Sequence, residues 1–392
     1  MPKLGRTWRF KIVIFAVVTI GSLLLAELLL RAIGVGFPRP YVADDLIGTR
    51  LQPGFHGWFG KEGGAWVRAN SLGFRDDEHS PEKAAGELRI AVLGDSYVEA
   101  AQVALNHTFW KVLESELNAG YSRKSHRVMG FGVSGFGTAQ ELLTFRHYVK
   151  PLRPDIVVLA MTVTNDLRNN SKSLEPVQER PFFVLRNGRL VEDHSFRQHP
   201  IFLSAQNSGT QWKTSLINAS NVLQVVAEWR GRRQQSAPET AEQSTEMGLD
   251  ESIYRAPVSQ DWIKAWAVTE ALIGQLHEEV TAAGAKLVVV TLTDGMQVHP
   301  DRPATAAFCQ KIGTTNLTYA DSRIAEVCEQ LGVAVLNLAG PMQKQATAEH
   351  TFFHGFSNTA LGEGHWNVDG HRAAGTLLAE FIRTSETTKR DR

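Results

Sequence analysis

The stretch "LRIAVLGDSYVEA", residues 88–100, decides the fold class. A mainly apolar run ends on Gly94-Asp95-Ser96, directly before a segment of helical character. A short apolar run bounded by turn residues is typical of a buried strand. Four more such runs alternate with helical patterns along the chain. This alternation predicts an α/β fold with a central parallel sheet covered by helices on both faces.

The predicted elements follow a simple order. After the first strand, the other four are expected at residues 127–132, 154–163, 285–292 and 333–338. Helices are expected at residues 108–120, 138–149, 261–284, 319–331 and 370–383. In a sheet of this kind the functional site lies at the carboxyl ends of the strands.

The domain organisation predicted from the sequence has three parts. Residues 1–33 form an amino-terminal tip and apolar helix, 34–87 an irregular lead-in, and 88–392 the α/β domain. An insertion at about 172–258 is too long for a plain connection. Its polar tail, residues 232–252, has few apolar side chains and is expected to be disordered.

The amino-terminal apolar run predicts a single membrane crossing. Residues 12–30, "IVIFAVVTIGSLLLAELLL", are long enough to span a bilayer. Lys3, Arg6, Arg9 and Lys11 precede the run, which orients the amino terminus toward the cytoplasm and the remainder outward. A cleaved secretion signal is the alternative, but no convincing small-x-small exit follows. We therefore favour an uncleaved signal anchor with the catalytic domain in the periplasm or outside the cell.

Charge and cysteine content restrict the partners. Lysine plus arginine and aspartate plus glutamate both number 41 in the 392 residues, so no basic field attracts nucleic acid. Only Cys309 and Cys328 are present, and their spacing matches no metal motif. They could form one disulfide or remain two buried thiols.

Glycine-rich residues 130–140, "GFGVSGFGTAQ", follow the second strand of the sheet. Gly130, Gly132 and Gly135 match the spacing of a dinucleotide fingerprint. However, the fingerprint belongs after the first strand, and no acidic residue ends the following strand. We instead expect Gly135 to let a backbone N–H approach a substrate oxygen.

Polar residues at three other strand ends or loops suggest hydrolytic chemistry. Ser96 could be a nucleophile beside a helix amino end, or simply a helix cap. Asn165 could donate its amide to an oxyanion, or belong to an Asn-Asp turn. His365, within "GEGHWNVDGHR" (362–372), could be the general base that a serine needs. A metal site is the rival interpretation for this last stretch, with Glu363, His365, Asp369 and His371 as ligands.

Taken in order, Ser96, Gly135, Asn165 and His365 resemble the four blocks of the SGNH (GDSL) hydrolase superfamily over about residues 88–384. The resemblance implies a flavodoxin-like three-layer sandwich in which Ser96 attacks an ester and His365 takes its proton. It also implies an oxyanion hole of Ser96, Gly135 and Asn165. Asp95, Asp166 and Asp369 are expected to support the site. The segment "NSLGFRD" (70–76) and the anchor further resemble bacterial cell-envelope members.

The third member of the triad departs from the family pattern. The family usually carries aspartate three residues before the histidine, where this chain has Gly362. Glu363 is therefore the predicted orienting acid, while Asp369 is expected to cap the last helix.

The resemblance implies a serine esterase without cofactor or metal, acting on an ester-bearing substrate, with an acylated polysaccharide favoured. An O-acyltransferase using the same residues and a silent polysaccharide-binding protein are the alternatives.

Overall fold

The computed structural model describes residues 4–119, 125–234 and 251–387. Its central sheet contains five parallel strands in the spatial order β6-β5-β7-β10-β11. The strands, with those of three small hairpins, are β1 Tyr41–Asp44, β2 Gly48–Leu51, β3 His56–Phe59, β4 Ala65–Arg68, β5 Glu87–Gly94, β6 Ser125–Gly132, β7 Ile156–Met161, β8 Phe182–Arg186, β9 Arg189–Asp193, β10 Lys286–Thr291 and β11 Ala334–Asn337.

Thirteen α-helices occur within the described residues. They are α1 Leu4–Ala32, α2 Ser96–Glu99, α3 Phe109–Asn118, α4 Thr138–Thr144, α5 Asp166–Asn169, α6 Pro200–Gln206, α7 Ser208–Ala219, α8 Asn221–Gln234, α9 Gln260–Ala282, α10 Arg302–Ile312, α11 Tyr319–Leu331, α12 Ala339–Glu349 and α13 Val368–Thr387.

The sheet is buried on both faces, which confirms the predicted three-layer α/β architecture. Alternate residues of β5 enter different cores: Ala91 and Leu93 belong to one, Ile90 and Val92 to the other. The first core also contains apolar side chains of α4, α9 and α11, and the second those of α3, α12 and α13. Because successive strand residues point to opposite faces, a strand covered on both sides must be apolar throughout. The near-continuous apolar runs of β5 and β7 have this cause.

All five predicted strands are present, whereas several other elements differ from the sequence-based expectation. The lead-in is not irregular: β1 pairs with β2 and β3 with β4 in antiparallel hairpins. Helices α10 and α12 were not predicted. The helix predicted over 138–149 is confirmed: it is α4 to Thr144 and continues as a π-helical turn over Phe145–Val149. The insertion contains the β8–β9 hairpin and helices α6 to α8. Most of the tail expected to be disordered, residues 235–250, lies outside the described residues.

The lead-in is fastened to the α/β domain by a buried arginine. The Arg75 guanidinium donates hydrogen bonds to the backbone carbonyls of Glu99, Ala100 and Val103. These carbonyls lie at and just beyond the end of α2, where Ala100 adopts a left-handed conformation and the helix hydrogen bonds stop. Arg75 therefore satisfies acceptors that the short helix leaves open, next to the Gly94-Asp95-Ser96 turn.

Helix α1 projects from the α/β domain. Residues Trp8–Ala32 are long and apolar enough to cross a membrane, and that stretch is not buried within the protein. Near its carboxyl end, the Glu27 carboxylate accepts hydrogen bonds from the backbone N–H groups of Asn221 and Val222 and from the Ser220 hydroxyl. Arg31 bonds both Glu27 and the carbonyl of Ala219. These contacts cap the start of α8 and the end of α7.

The two cysteines are separate free thiols, of which Cys328 is fully buried. Burial raises the pKa of the Cys328 thiol to about 12, so it is inert at neutral pH.

Candidate active site

The site lies where β5, β6 and β7 end. Gly94 and Gly132 are paired at the carboxyl ends of β5 and β6. Ser96 begins α2, and Asp95 caps that helix by accepting a hydrogen bond from the backbone N–H of Tyr97. The Gly94 position has no room for a side chain, because a Cβ there would overlap Val98 in the first turn of the helix. Gly94 therefore permits the tight turn that delivers Ser96 to the sheet edge.

Ser96, His365 and Glu62 form a continuous hydrogen-bonded chain. The Ser96 Oγ lies 2.9 Å from Nε2 of His365. On the other side of the ring, Nδ1 lies 2.6 Å from Oε2 of Glu62. The same carboxylate accepts the backbone N–H of His365 through Oε1, also at 2.6 Å. This is the serine–base–acid geometry in which the acid fixes the imidazole tautomer and orientation.

Glu62 keeps its negative charge in this position. Burial alone would raise the pKa of its carboxyl, but the hydrogen bonds and charge of His365 lower it overall. Gln102 lies 3.5 Å from Oε2 and adds a further weak donor. An ionised acceptor against Nδ1 holds the proton there and leaves Nε2 free to accept the serine proton.

The structure places Glu62, rather than the expected orienting acid Glu363, beside Nδ1 of the imidazole. Glu363 itself is exposed. The glycine between Glu363 and His365 explains the arrangement: Gly364 has a φ of +75°, and a Cβ at that position would overlap Oε1 of Glu62. Gly364 therefore makes room for Glu62 beside the imidazole.

Glu62 lies in the β3–β4 turn, within "GKEGGAW", residues 60–66. The turn is held by Asn358, whose side chain bonds the backbone of Gly60 and Gly63. Sequence reasoning missed Glu62 because 303 residues separate it from His365. The available signal was weak: a single acid enclosed by glycines between two short aromatic segments.

Three donors are candidates for an oxyanion hole. Gly135 is exposed with a φ of +78°, and its backbone N–H has no partner among the described residues. The Ser96 N–H is likewise unpaired there, as befits the first turn of a helix. The Asn165 amide donates one hydrogen bond to Oδ2 of Asp95 at 3.0 Å. Its second N–H remains available, since an amide nitrogen carries two hydrogens.

Asp95 organises the floor of the site rather than facing a substrate. Besides capping α2, its Oδ1 accepts the Thr162 hydroxyl at 3.0 Å, so it joins β5 to the end of β7. Burial raises the pKa of Asp95, and the hydrogen bonds from Tyr97, Asn165 and Thr162 partly offset this. Asp166 is also buried and accepts the backbone N–H of Thr162. Both supporting residues therefore fix the position of Asn165.

A third buried acid, Glu141, lies beneath this floor. Neither of its carboxyl oxygens has a hydrogen-bond partner within the described residues. Burial and the nearby charge of Asp95 raise its pKa well above the usual range. Burial and Glu141 in turn raise the pKa of Asp166. Because an unpaired buried carboxylate is very costly, burial favours the protonated form of Glu141.

The start of α13 differs from the expectation for Asp369. The cap is Asn367, whose Oδ1 accepts the backbone N–H groups of Asp369 and Gly370. Asp369 lies in the first turn and pairs with Arg372 at the surface. His371 is buried, where burial lowers its pKa to about 3, and its Nδ1 accepts the backbone N–H of Phe109. Across the described ranges, no cluster of three or more acidic, histidine or cysteine side chains could hold a metal ion.

A cavity of about 350 Å³ opens beside Gly135. The β1–β2 hairpin and helix α6 of the insertion line it together with residues 134–136. Tyr41 connects its wall to the site by donating a hydrogen bond to the buried Glu99, which also accepts the Ser134 N–H. Both the lead-in and the insertion therefore shape the surroundings of the candidate oxyanion hole.

Comparisons with solved structures found distant similarities. An α/β hydrolase from the metagenome of Lake Arreo is 14% identical, with 76% of this chain and 96% of that chain covered and a TM-score of 0.37. A catalytic mutant of an acetylxylan esterase from Geobacillus stearothermophilus is 11% identical, with coverages of 75% and 94% and a TM-score of 0.37. A GDSL-like lipase from Bacteroides thetaiotaomicron is 13% identical, with coverages of 76% and 88% and a TM-score of 0.33. No curated protein matches the chain.

The family comparison is more extensive. The profile of the GDSL-like lipase/acylhydrolase family matches residues 92–373, which is more than half of the chain. The matched segment begins within β5, includes Ser96 and His365, and excludes Glu62. Ester hydrolysis is the activity that this family implies. The chain belongs to the GDSL-like lipase/acylhydrolase family, the SGNH hydrolases of ester bonds.

Proposed function

We propose that this protein is a membrane-anchored serine esterase that cleaves acyl esters through an acyl-Ser96 intermediate. The observation that carries the proposal is the hydrogen-bonded chain from Ser96 through His365 to Glu62. A serine hydroxyl is a weak nucleophile unless a neighbouring base removes its proton. His365 has the position of that base, and Glu62 has the position of the acid that orients it.

The reaction has two stages. Oγ of Ser96 attacks the ester carbonyl while Nε2 of His365 takes its proton. The negative charge on the carbonyl oxygen is stabilised by N–H groups of Ser96, Gly135 and Asn165. His365 then protonates the departing alcohol, which leaves an acyl-Ser96. An incoming water gives a proton to Nε2 of His365 and attacks the acyl carbonyl. As the acyl–Oγ bond breaks and the acid leaves, His365 returns that proton to Oγ, which regenerates Ser96.

An acylated carbohydrate of the cell envelope is the substrate class that we favour. The proposal depends on location: a domain held by α1 on the outer face of a membrane encounters envelope and exported glycans. The basic residues before the apolar run favour this orientation. The capping of α7 and α8 by Glu27 and Arg31 supports an uncleaved anchor, because cleavage after the helix would remove both caps.

Fluorophosphonate labelling of the full-length protein in detergent tests the activity. We expect the probe to modify the wild-type protein and to leave Ser96→Ala unmodified, with ester hydrolysis lost in the same variant. His365→Ala should also lose hydrolysis. A Ser96→Ala variant that is still labelled would reject Ser96 as the nucleophile.

The molecule that accepts the acyl group distinguishes an esterase from an O-acyltransferase. Release of free acid from an acylated oligosaccharide means hydrolysis, whereas transfer to a second sugar hydroxyl means O-acyltransfer by the same acyl-Ser96. A purely polysaccharide-binding protein would bind such oligosaccharides without acyl release and without fluorophosphonate labelling.

A further inference from the structure

The insertion carries large apolar side chains that are more than a third exposed. On α7 and α8 these are Trp212, Leu216, Leu223, Val226 and Trp229, here called the interface surface. Trp212 is 68% and Trp229 51% exposed. An exposed cluster of large apolar residues on a folded domain marks a contact with lipid or another molecule.

The exposed residues are arranged in stripes along their helices. Trp212 and Leu216 are four residues apart on α7 and therefore lie on one face. Leu223, Val226 and Trp229 recur every three residues on α8, which also keeps them on a common side. The two helices contact each other, and only Ser220 lies between them in the chain. The stripes thus belong to two consecutive helices, here called the α7–α8 pair.

Helix α1 brings the α7–α8 pair to the edge of the proposed membrane. Glu27 bonds the first backbone N–H groups of α8, and Arg31 bonds the last carbonyl of α7. A hydrocarbon core about 30 Å thick takes up about 20 helical residues, so a span that begins after Lys11 ends close to Arg31. Glu27 then lies only about 6 Å inside the outer boundary. The start of α8 is held at the same depth.

The charges of the α7–α8 pair fit a position at the membrane boundary. Residues 208–234 contain four basic side chains and one acidic side chain. Lys213, Arg230 and Arg233 are exposed near the apolar stripes, and the Arg233 guanidinium stacks on the Trp229 ring at 3.8 Å. Tryptophan with adjacent lysine or arginine is typical of helices that lie at the boundary between headgroups and acyl chains.

We propose that α7 and α8 dock on the outer leaflet of the membrane that α1 spans, with the interface surface inserted at the headgroup level. This inference rests on the proposed anchoring by α1. The lipid bilayer is the occupant because the residues that end α1 also cap the two helices. The insertion therefore serves as a platform that fixes the orientation of the α/β domain above the membrane.

Docking would also orient the residue that positions His365. The β3–β4 hairpin bears Glu62 in its turn, and its Trp58 ring lies against Gly34, just beyond α1. A groove between the end of α1, this hairpin and the start of α8 is lined by Trp58 and by the exposed Trp66. The β3–β4 hairpin thus lies between the proposed membrane surface and the active site.

Collisional quenching by brominated lipid tests the docking. The full-length protein first receives Cys309→Ser, which removes the partly exposed native thiol. In this background a single cysteine replaces Leu216 or Leu223 and is labelled with an environment-sensitive fluorophore. Cys328 is fully buried and is retained. Leu24→Cys reports on α1. Gln330→Cys is the exposed control, because α11 ends beside the amino edge of the sheet, opposite the active site.

The labelled proteins are reconstituted into phosphatidylethanolamine–phosphatidylglycerol vesicles with or without brominated acyl chains, and fluorophosphonate labelling verifies folding. We expect quenching at positions 24, 216 and 223 but not at 330. Quenching at 24 alone would overturn the docking surface and leave the anchor intact, with water or a partner protein covering α7 and α8. No quenching at 24, 216 or 223 would reject the anchor and the docking together.

Discussion

Replacing Glu62 with glutamine tests the assignment of the orienting acid most directly. The glutamate carboxylate accepts two hydrogen bonds from His365, one from the backbone N–H and one from Nδ1, each at 2.6 Å. Glutamine has the same shape but only one acceptor oxygen; its other terminal atom is a donor. Both positions cannot then be satisfied at once.

Either orientation of the glutamine harms the site. With its oxygen on the backbone N–H, the amide nitrogen faces Nδ1, which must give up its proton to accept. The proton then resides on Nε2, where it blocks transfer from Ser96. With the oxygen on Nδ1 instead, the amide nitrogen opposes the backbone N–H of His365, and that donor is left unpaired.

The expected loss of activity in Glu62→Gln follows from how far the Glu62 side chain is buried. Loss of the acid in a buried serine triad costs about 10⁴-fold in kcat. The Glu62 side chain is 20% exposed, so water can partly replace the lost acceptor. We therefore expect kcat/KM to fall by about 10³-fold in Glu62→Gln, equivalent to about 4 kcal/mol in the activation free energy.

The assay is hydrolysis of a p-nitrophenyl ester, with the urea unfolding free energy measured on the same samples. We expect the stability of Glu62→Gln to change by no more than about 3 kcal/mol, the contribution of one hydrogen bond to a charged group. Glu363→Gln is the matched control, since Glu363 is exposed on the neighbouring loop, and it should retain nearly full activity. An active Glu62→Gln, or an equal loss in Glu363→Gln, would refute the assignment.

Three further outcomes are expected. Asn165→Ala should lower kcat by about 100-fold or more with little change in KM, because an oxyanion donor acts mainly in the transition state; an unchanged kcat excludes it from the hole. Gly364→Ala should lower kcat/KM, since its Cβ overlaps the Glu62 carboxylate, and should cost about 1–2 kcal/mol of unfolding free energy through its positive φ; unaltered activity would mean that the loop adapts. Burial raises the pKa of Glu141, so the folded protein keeps a proton that the unfolded chain releases above about pH 4.3, and stability falls as the pH rises from there. Glu141→Gln should therefore flatten the decline of unfolding free energy that begins above about pH 4.3 in urea titrations, and an unchanged slope would contradict a raised pKa of Glu141.

The sheet could be predicted from the sequence because its signal is local and repeated. Strands β5, β7 and β10 of the central sheet are short, mainly apolar runs between turn residues, and burial on both faces demands that composition. The roles proposed for Ser96, Gly135, Asn165 and His365 were open to the same reasoning. They follow strands or precede the last helix, where the topology of a parallel sheet brings side chains to one edge.

Glu62 could not be predicted in this way because no local rule determines its contact with His365. The contact depends on how the β3–β4 hairpin docks, through Asn358 and the space left by Gly364. The expectation that Asp369 caps the last helix was wrong for a related reason. Either Asn367 or Asp369 can cap a helix, and α13 starts two residues earlier than expected, so Asn367 is the cap. Asp369 lies in the first turn, where an acidic side chain complements the helix dipole. Hydrophobic periodicity predicts neither where a short hairpin docks nor the exact residue at which a helix starts.

The division of the triad between opposite ends of the chain has a consequence for when this enzyme becomes active. Glu62 precedes the whole α/β domain, and His365 follows nearly all of it. If the chain is threaded outward from its amino-terminal helix, the hairpin with Glu62 emerges early and waits until β10, β11 and the loop before α13 have crossed. Translocation would then set the time at which activity begins, because a nascent chain could not cleave an ester before its export was almost finished.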